Sequence, residues 1–406
     1  MSSLSPPAAV SASPAATGNG TGTASTVILA IAAFVIVTTE FLMVGLLPAL
    51  AADLNVSVSA AGQLVTLFAM VVMLFGPVLT AWLAHWERKR LFLGVLLLFA
   101  ASNAVAALAP NLWTLAIARI VPALALPVFW GTASETAAQL AGPARAGRAV
   151  STVYLGISGA MLFGIPLGTV AGATLGWRGA FWALAALCLL VAMLLQVLMP
   201  TMAPGKRVRL GEQALILKDP FFIGNVLLSV AVFTAMFTGY TYLAEVLEKI
   251  AHVPPAQVGW WLMGFGAVGL AGNWLGGLWV DRKPLATTAG FSALLAIGMA
   301  ATVALATSRP ALVLALAVWG VANTALYPVC QIRVMKSAPK AQALAGTINV
   351  SAANGGIALG AILGGASIPL WGVGSVGVVG VVGAVVALFA AVGAGLVGRL
   401  GRSAMR

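Results

Sequence analysis

The sequence predicts an all-α membrane protein with twelve transmembrane helices in two pseudo-symmetric six-helix bundles, and three observations carry that reading. The 406 residues are 61% hydrophobic and 7% charged, with a mean hydropathy of +1.05, whereas soluble domains run near 45–50% apolar and about 25% charged. Apolar stretches of roughly 20 residues recur along the chain, the length that crosses a ~30 Å hydrocarbon layer as a helix. A glycine pattern, Gly164-Ile165-Pro166-Leu167-Gly168 with Gly172, returns in the second half as Gly356-Ile357-Ala358-Leu359-Gly360 with Gly364, and Trp177 and Trp371 follow at similar spacing.

Residues 1–26 are rich in Ser, Pro, Ala, Gly and Thr and carry no charged side chain; such a segment buries too little apolar surface to fold, which predicts a disordered tail. It lacks the basic start of a signal peptide. Spans are expected at 27–50, 60–84, 91–109, 111–138, 149–174 and 179–199, forming the first bundle over 27–199. The polar, basic stretch 200–219 links it to a second bundle over 220–397, with spans at 221–247, 257–280, 287–307, 311–334, 341–367 and 374–397, followed by a short tail, 398–406.

The formal net charge of +12 follows from topology, because short cytoplasmic loops collect Lys and Arg. With both termini inside, only Arg178, Lys249 and Arg309 of the 21 basic residues fall outside, and Arg119 alone lies well within a span. No nucleic-acid partner is needed to account for the excess. Cys188 and Cys330 sit in apolar runs as core residues, which excludes a disulfide framework or a cysteine-held metal. No phosphate-binding loop, metal cluster or nucleophile–base pair is evident, so ATP-driven pumping and enzyme chemistry have no support, and no cofactor is expected.

Of nine acidic residues, Asp53, Glu87, Glu212, Asp219, Glu248 and Asp281 fall in loops or at helix ends, and Glu135 and Glu245 near span ends where a carboxylate reaches the headgroups. Glu40 differs. It lies ~20 Å into the first span, and Arg119 enters the fourth from the opposite side to a matching depth. A carboxylate at that depth costs at least about 2.5–3.5 kcal/mol, so Glu40 is the candidate proton carrier, with Arg119, permanently charged, as its partner across the first bundle. Polar residues within spans belong on the bundle interior; Thr39, Tyr240, Asn273, Asn323, Tyr327, Asn349 and Asn354 are the candidate cavity residues. Gly164, Gly168 and Gly172 make a smooth helix face suited to close packing or to sliding between the halves, and Pro166 bends the helix there.

Four of these motifs, Thr39-Glu40-Phe41 with Gly45-Leu46-Leu47-Pro48, Arg119, the helix-5 series from Gly164 and Pro166 to Gly176-Trp177-Arg178, and Gly277-Leu278-Trp279-Val280-Asp281-Arg282, together resemble the major facilitator superfamily, in particular its proton-coupled efflux branch. The resemblance covers roughly residues 27–397. It departs in the loop after helix 2, where Ala84 and Glu87 replace an acidic residue and a glycine, and at Leu126-Pro127, where sugar exporters carry a histidine. It implies a monomeric multi-pass transporter of the cytoplasmic membrane that exports a small sugar or drug-like molecule in exchange for protons by alternating access. It further implies gating roles for Gly164, Pro166, Gly168, Gly277, Asp281 and Arg282. A facilitator or uptake symporter on the same fold is the alternative, since fold does not fix direction.

Overall fold

The computed structural model describes residues 19–83, 85–142, 146–202, 214–280, 282–339 and 342–403. The first half comprises α1 (Asn19–Asp53), α2 (Val58–Leu83), α3 (Arg88–Ala107), α4 (Leu112–Ala141), α5 (Ala146–Gly159) and α6 (Ile165–Leu198). The second comprises α7 (Pro220–Tyr240), α8 (Leu243–Lys249), α9 (Pro255–Val280), α10 (Pro284–Ala304), α11 (Arg309–Ser337), α12 (Gln342–Trp371) and α13 (Ser375–Ser403). No strand occurs among the described residues. Among the described residues, ten helical segments are long and apolar enough to cross a membrane. One of them, 152–198, is two spans that reverse at Gly176, where φ is +74°, a value glycine adopts freely. The Gly- and Trp-rich α9 makes the twelfth span.

The helices alternate between two ends of the molecule. The basic end holds the start of α1, the α2–α3 turn with Arg88, Lys89 and Arg90, and the end of α11; the opposite, or far, end holds the α1–α2 turn, Gly176 and α8. Glu87 starts α3 by accepting from the amides of Lys89 and Arg90, and it also accepts from the amide of Met202 at the end of α6. The residue that departs from the family pattern is thus a helix cap. At the far end, Asp53 accepts from Trp177 Nε1 at 3.0 Å and pairs with Arg178, whose other nitrogen donates to Ala109 O. That cluster ties α1, α3 and α6 together.

The expected boundaries need correction in four places. Residues 19–26 are helical, not a disordered tail: Ser25 and Thr26 are buried, and the Ser25 hydroxyl donates to Leu198 O at 3.2 Å, small polar residues here permitting a close helix approach. Helix 7 is not one rod over 221–247, because it breaks at Thr241–Tyr242 between α7 and α8. Residues 398–403 continue α13, and of the 200–219 linker, residues 203–213 lie outside the described residues. Arg88 and Arg333, placed with the loop charges, are 1% and 2% exposed. Arg88 pairs with Glu135 Oε2 at 2.8 Å, and Arg333 donates to Asn225 O, Ser229 Oγ and Thr288 Oγ1.

The glycine faces pack within each half, which corrects the idea of a sliding contact between halves. A side chain at Gly164, Gly168 or Gly172 would run into Thr38, Leu42 or Leu46 of α1, and one at Gly356, Gly360 or Gly364 into α7. The repeat in the sequence is therefore a repeated helix contact. The halves meet along two seams, α2 against α12 and the middle of helix 5 (α5–α6) against α9. In the first, Ser59 Oγ donates to Gly365 O at 2.6 Å. In the second, Gly259 and Gly266 of α9 press on the backbone of Pro166 and Met161, beside a π-turn at Ala160–Gly164.

Apolar packing distinguishes the two ends. From the middle toward the far end both halves share one core, in which Phe41 and Leu46 are continuous with Phe237 and Leu243. At the basic end the first half keeps its own core around Phe92, Phe99 and Phe129, and the second a separate one around Phe222 and Val334. At the basic end the apolar cores of the two halves are thus separate.

Candidate substrate and proton site

Glu40 and Arg119 come together, though not as an ion pair. Arg119 is 2% exposed; its Nη1 donates to Thr39 O at 2.8 Å and its Nη2 to Glu40 O at 2.9 Å, while the guanidinium lies 4.4 Å over the Phe68 ring. The arginine grips the main chain of α1 and leaves the half-buried carboxylate of Glu40 unbonded to it. The ion pairs among the described residues are Arg88–Glu135 and Arg178–Asp53. The reason is geometric: guanidinium donors project as a rigid fork, and two successive carbonyls match it. Thr39 is not a cavity residue. It is 1% exposed, and its hydroxyl accepts from Asn103 Nδ2 at 3.2 Å inside the first half.

Where the halves share their core, aromatic rings form a continuous chain. Phe41 of α1 touches Phe237 of α7 (5.8 Å between centroids), Phe237 touches Tyr240, Tyr240 stacks on Phe265 of α9, and Phe265 meets Trp319 of α11 edge-on, the last three at 5.6 Å. Tyr327 of α11 packs on Phe233 at 5.1 Å. Through Phe233 and Phe237 of α7, Tyr327 and Tyr240 thus join the segment of α1 that carries Glu40 and Phe41. The phenylalanines and Trp319 were not singled out from the sequence, where apolar residues in apolar helices give no contrast.

Polar atoms without partners accumulate on α11 and α12. Trp319, Asn323, Tyr327 and Gln331 follow at four-residue steps along α11, a spacing that places them on one side of the helix. Trp319 Nε1, Asn323 Oδ1 and the Tyr327 hydroxyl are buried with no hydrogen bond, as are Asn349 Oδ1 and Asn354 Oδ1 on α12. The two α12 amides spend their donors elsewhere, Asn349 Nδ2 on Gln331 Oε1 at 2.6 Å and Asn354 Nδ2 on Val350 O at 3.0 Å. Such groups are costly unless a ligand or water meets them. Asn273 is half-buried on α9 and no hydrogen bond joins it to this group.

The predicted gating residues separate. Pro166 stands at the α6–α9 seam, whereas Gly164 and Gly168 face α1. Gly277 borders open space and Arg282 is exposed in the turn before α10. Asp281 lies outside the described residues.

The Major Facilitator Superfamily model matches residues 29–341. The chain is 37% identical over 340 residues to the inner membrane transport protein YdhP of Escherichia coli K12, covering 84% of this chain and 87% of that protein. It is 33% identical over 363 residues to a chloramphenicol resistance protein of Streptomyces lividans (86% and 92% covered) and 31% identical over 349 residues to a probable sugar efflux transporter of Helicobacter pylori G27 (86% and 89%). Among solved structures, a bacterial homologue of the lysosomal transporter Spinster, inward-facing and unoccupied, superposes with a TM-score of 0.78 at 14% identity, covering 93% of this chain and 98% of that one. A D-xylose–proton symporter superposes at 0.71 with 19% identity (91% and 97%).

Proposed function

This chain belongs to the major facilitator superfamily, and from that premise we propose that it is a proton-coupled antiporter that exports a neutral, partly apolar small molecule. The observation that carries the reading is one intramembrane carboxylate, Glu40, next to Phe41 at the start of an aromatic chain that leads through α7 to Tyr240 and Tyr327. The buried acceptors on α11 and α12 suit a ligand that brings hydroxyl or amide donors, and the rings suit its apolar part. Efflux relatives of sugar and chloramphenicol type are compatible with both demands. The basic end is assigned to the cytoplasm. Each chain carries both halves and works as a monomer.

In this cycle Glu40 takes a proton when the site opens outward and releases it when the site opens inward. Arg119 holds α1 at that point through main-chain carbonyls, so its grip survives both states of the acid. The test is uptake of radiolabelled chloramphenicol, with a sugar panel beside it, into inverted vesicles under an imposed pH gradient. Glu40→Gln keeps the shape and removes the titration; the expected result is retained binding with loss of gradient-driven accumulation. A Glu40→Gln protein that still concentrates substrate would falsify the assignment.

A further inference from the structure

Glu245 is the second carboxylate buried among apolar helices, and the mechanism above does not use it. It lies on α8, the short helix left after helix 7 breaks, and it is 5% exposed with Oε2 lacking any hydrogen-bond partner. One turn earlier, the Thr241 hydroxyl is fully buried and also unpartnered. A carboxylate so near the end of a span was expected among the headgroups. The break at Thr241–Tyr242 instead buries it on α8, between Tyr242 and Val246, which both pack in the far-end seam.

That seam is where the halves close. On α8, Val246 packs with Leu47 and Ala51 of α1, and just before it Tyr242 donates its hydroxyl to Ala361 O of α12 at 2.8 Å. The Tyr242 ring also fills the space over Gly62 of α2. Charged groups nearby are few. α1 offers Asp53, already engaged by Arg178 and Trp177; α2, α9 and α12 carry no charged side chain of either sign, and α13 has only Arg399 and Arg402, at the basic end. Glu248 and Lys249 share α8 with Glu245, and beyond it Arg309 donates to the backbone oxygen of His252.

We propose that Glu245 is a second proton-binding residue that controls the far-end seam: neutral while α8 is packed between the halves, ionised once the seam parts. An ionised carboxylate with an unpaired oxygen is not tolerated in that packing. Protonation therefore favours the closed seam, and loss of the proton to water favours the open one. The proposal concerns the seam and stands apart from the role of Glu40.

The experiment uses the full chain, purified in detergent, with Cys188 and Cys330 replaced by alanine and one cysteine introduced by Ser59→Cys at the seam. Labelling by a thiol reagent is measured against pH and divided by that of a Thr307→Cys protein, an exposed far-end position, which removes the reagent's own pH dependence. With Glu245 present, relative labelling is expected to rise with pH, by up to about tenfold per unit while the acid titrates. Glu245→Gln should label weakly at every pH, Glu245→Asp should restore a rise with a displaced midpoint, and Glu248→Gln should keep the native profile. A rise that persists in Glu245→Gln, a flat profile in the native protein, or a rise abolished by Glu248→Gln overturns the proposal. Continued accumulation in Glu40→Gln vesicles, which would overturn the role given to Glu40, leaves these profiles untouched, so the two readings fail separately.

Discussion

At the residue scale, the buried cations show what sequence can and cannot reveal. The depth of Arg119 was legible, because counting residues along a span gives distance across a membrane; its acceptors were not, because sequence does not record which lone pairs a fork will meet. The same holds for Arg88 and Arg333, which read as loop charges and are folded inward. Glu87 is the opposite case, a loop acid with an assigned task. Burial pushes its carboxyl up, but the amides of Met202, Arg90 and Lys89 outweigh this and hold it below its ordinary value of 4.5. Its contribution is therefore complete above pH 4.5 and fades as pH falls through the lowered value. Glu87→Ala should cost about 1 kcal/mol at neutral pH, in the range of a lost helix cap. Thermal unfolding in detergent checks this, and the gap between native and variant should narrow below pH 4.5.

At the element scale, the glycines divide by what they face. The periodicity of Gly164, Gly168 and Gly172 was readable as a smooth surface, but its partner was not, because two helices of the same composition are equally good neighbours on paper. Gly156 lies against the carbonyl of Ala30 in α1, and Gly266 against the carbonyl of Met161 across the seam. Backbone cannot step aside as a side-chain tip can, so any Cβ there is overpacked by about 1–3 kcal/mol. Gly156→Ala should lower the melting temperature with little change in the closed-to-open balance. Gly266→Ala should shift that balance toward the far-end-open form. Cysteine accessibility at Ser59 separates the two, and equal behaviour of both variants would remove the distinction between packing within a half and packing across a seam.

At the scale of the whole molecule, hydropathy and charge placed the twelve spans because the bilayer imposes a length and the loops a sign; the tilt of the halves left no such mark. The orientation predicts that cysteines introduced at positions 283 and 402 react with a permeant thiol reagent only, and those at 252 and 309 with an impermeant one as well. Reaction of 283 with the impermeant reagent in intact cells would invert the assignment. The main-chain grip of Arg119 has one more consequence, which is electrical. Since that cation never surrenders its charge, the site carries one positive charge with Glu40 protonated and none with Glu40 ionised. Under the proposed exchange of one proton for a neutral molecule, one positive charge then moves inward per cycle. A membrane potential of ~100 mV contributes about 2.3 kcal/mol to such a step, equivalent to roughly a 50-fold concentration ratio of substrate. Export should thus continue on voltage alone, in cells whose interior and surroundings share the same pH.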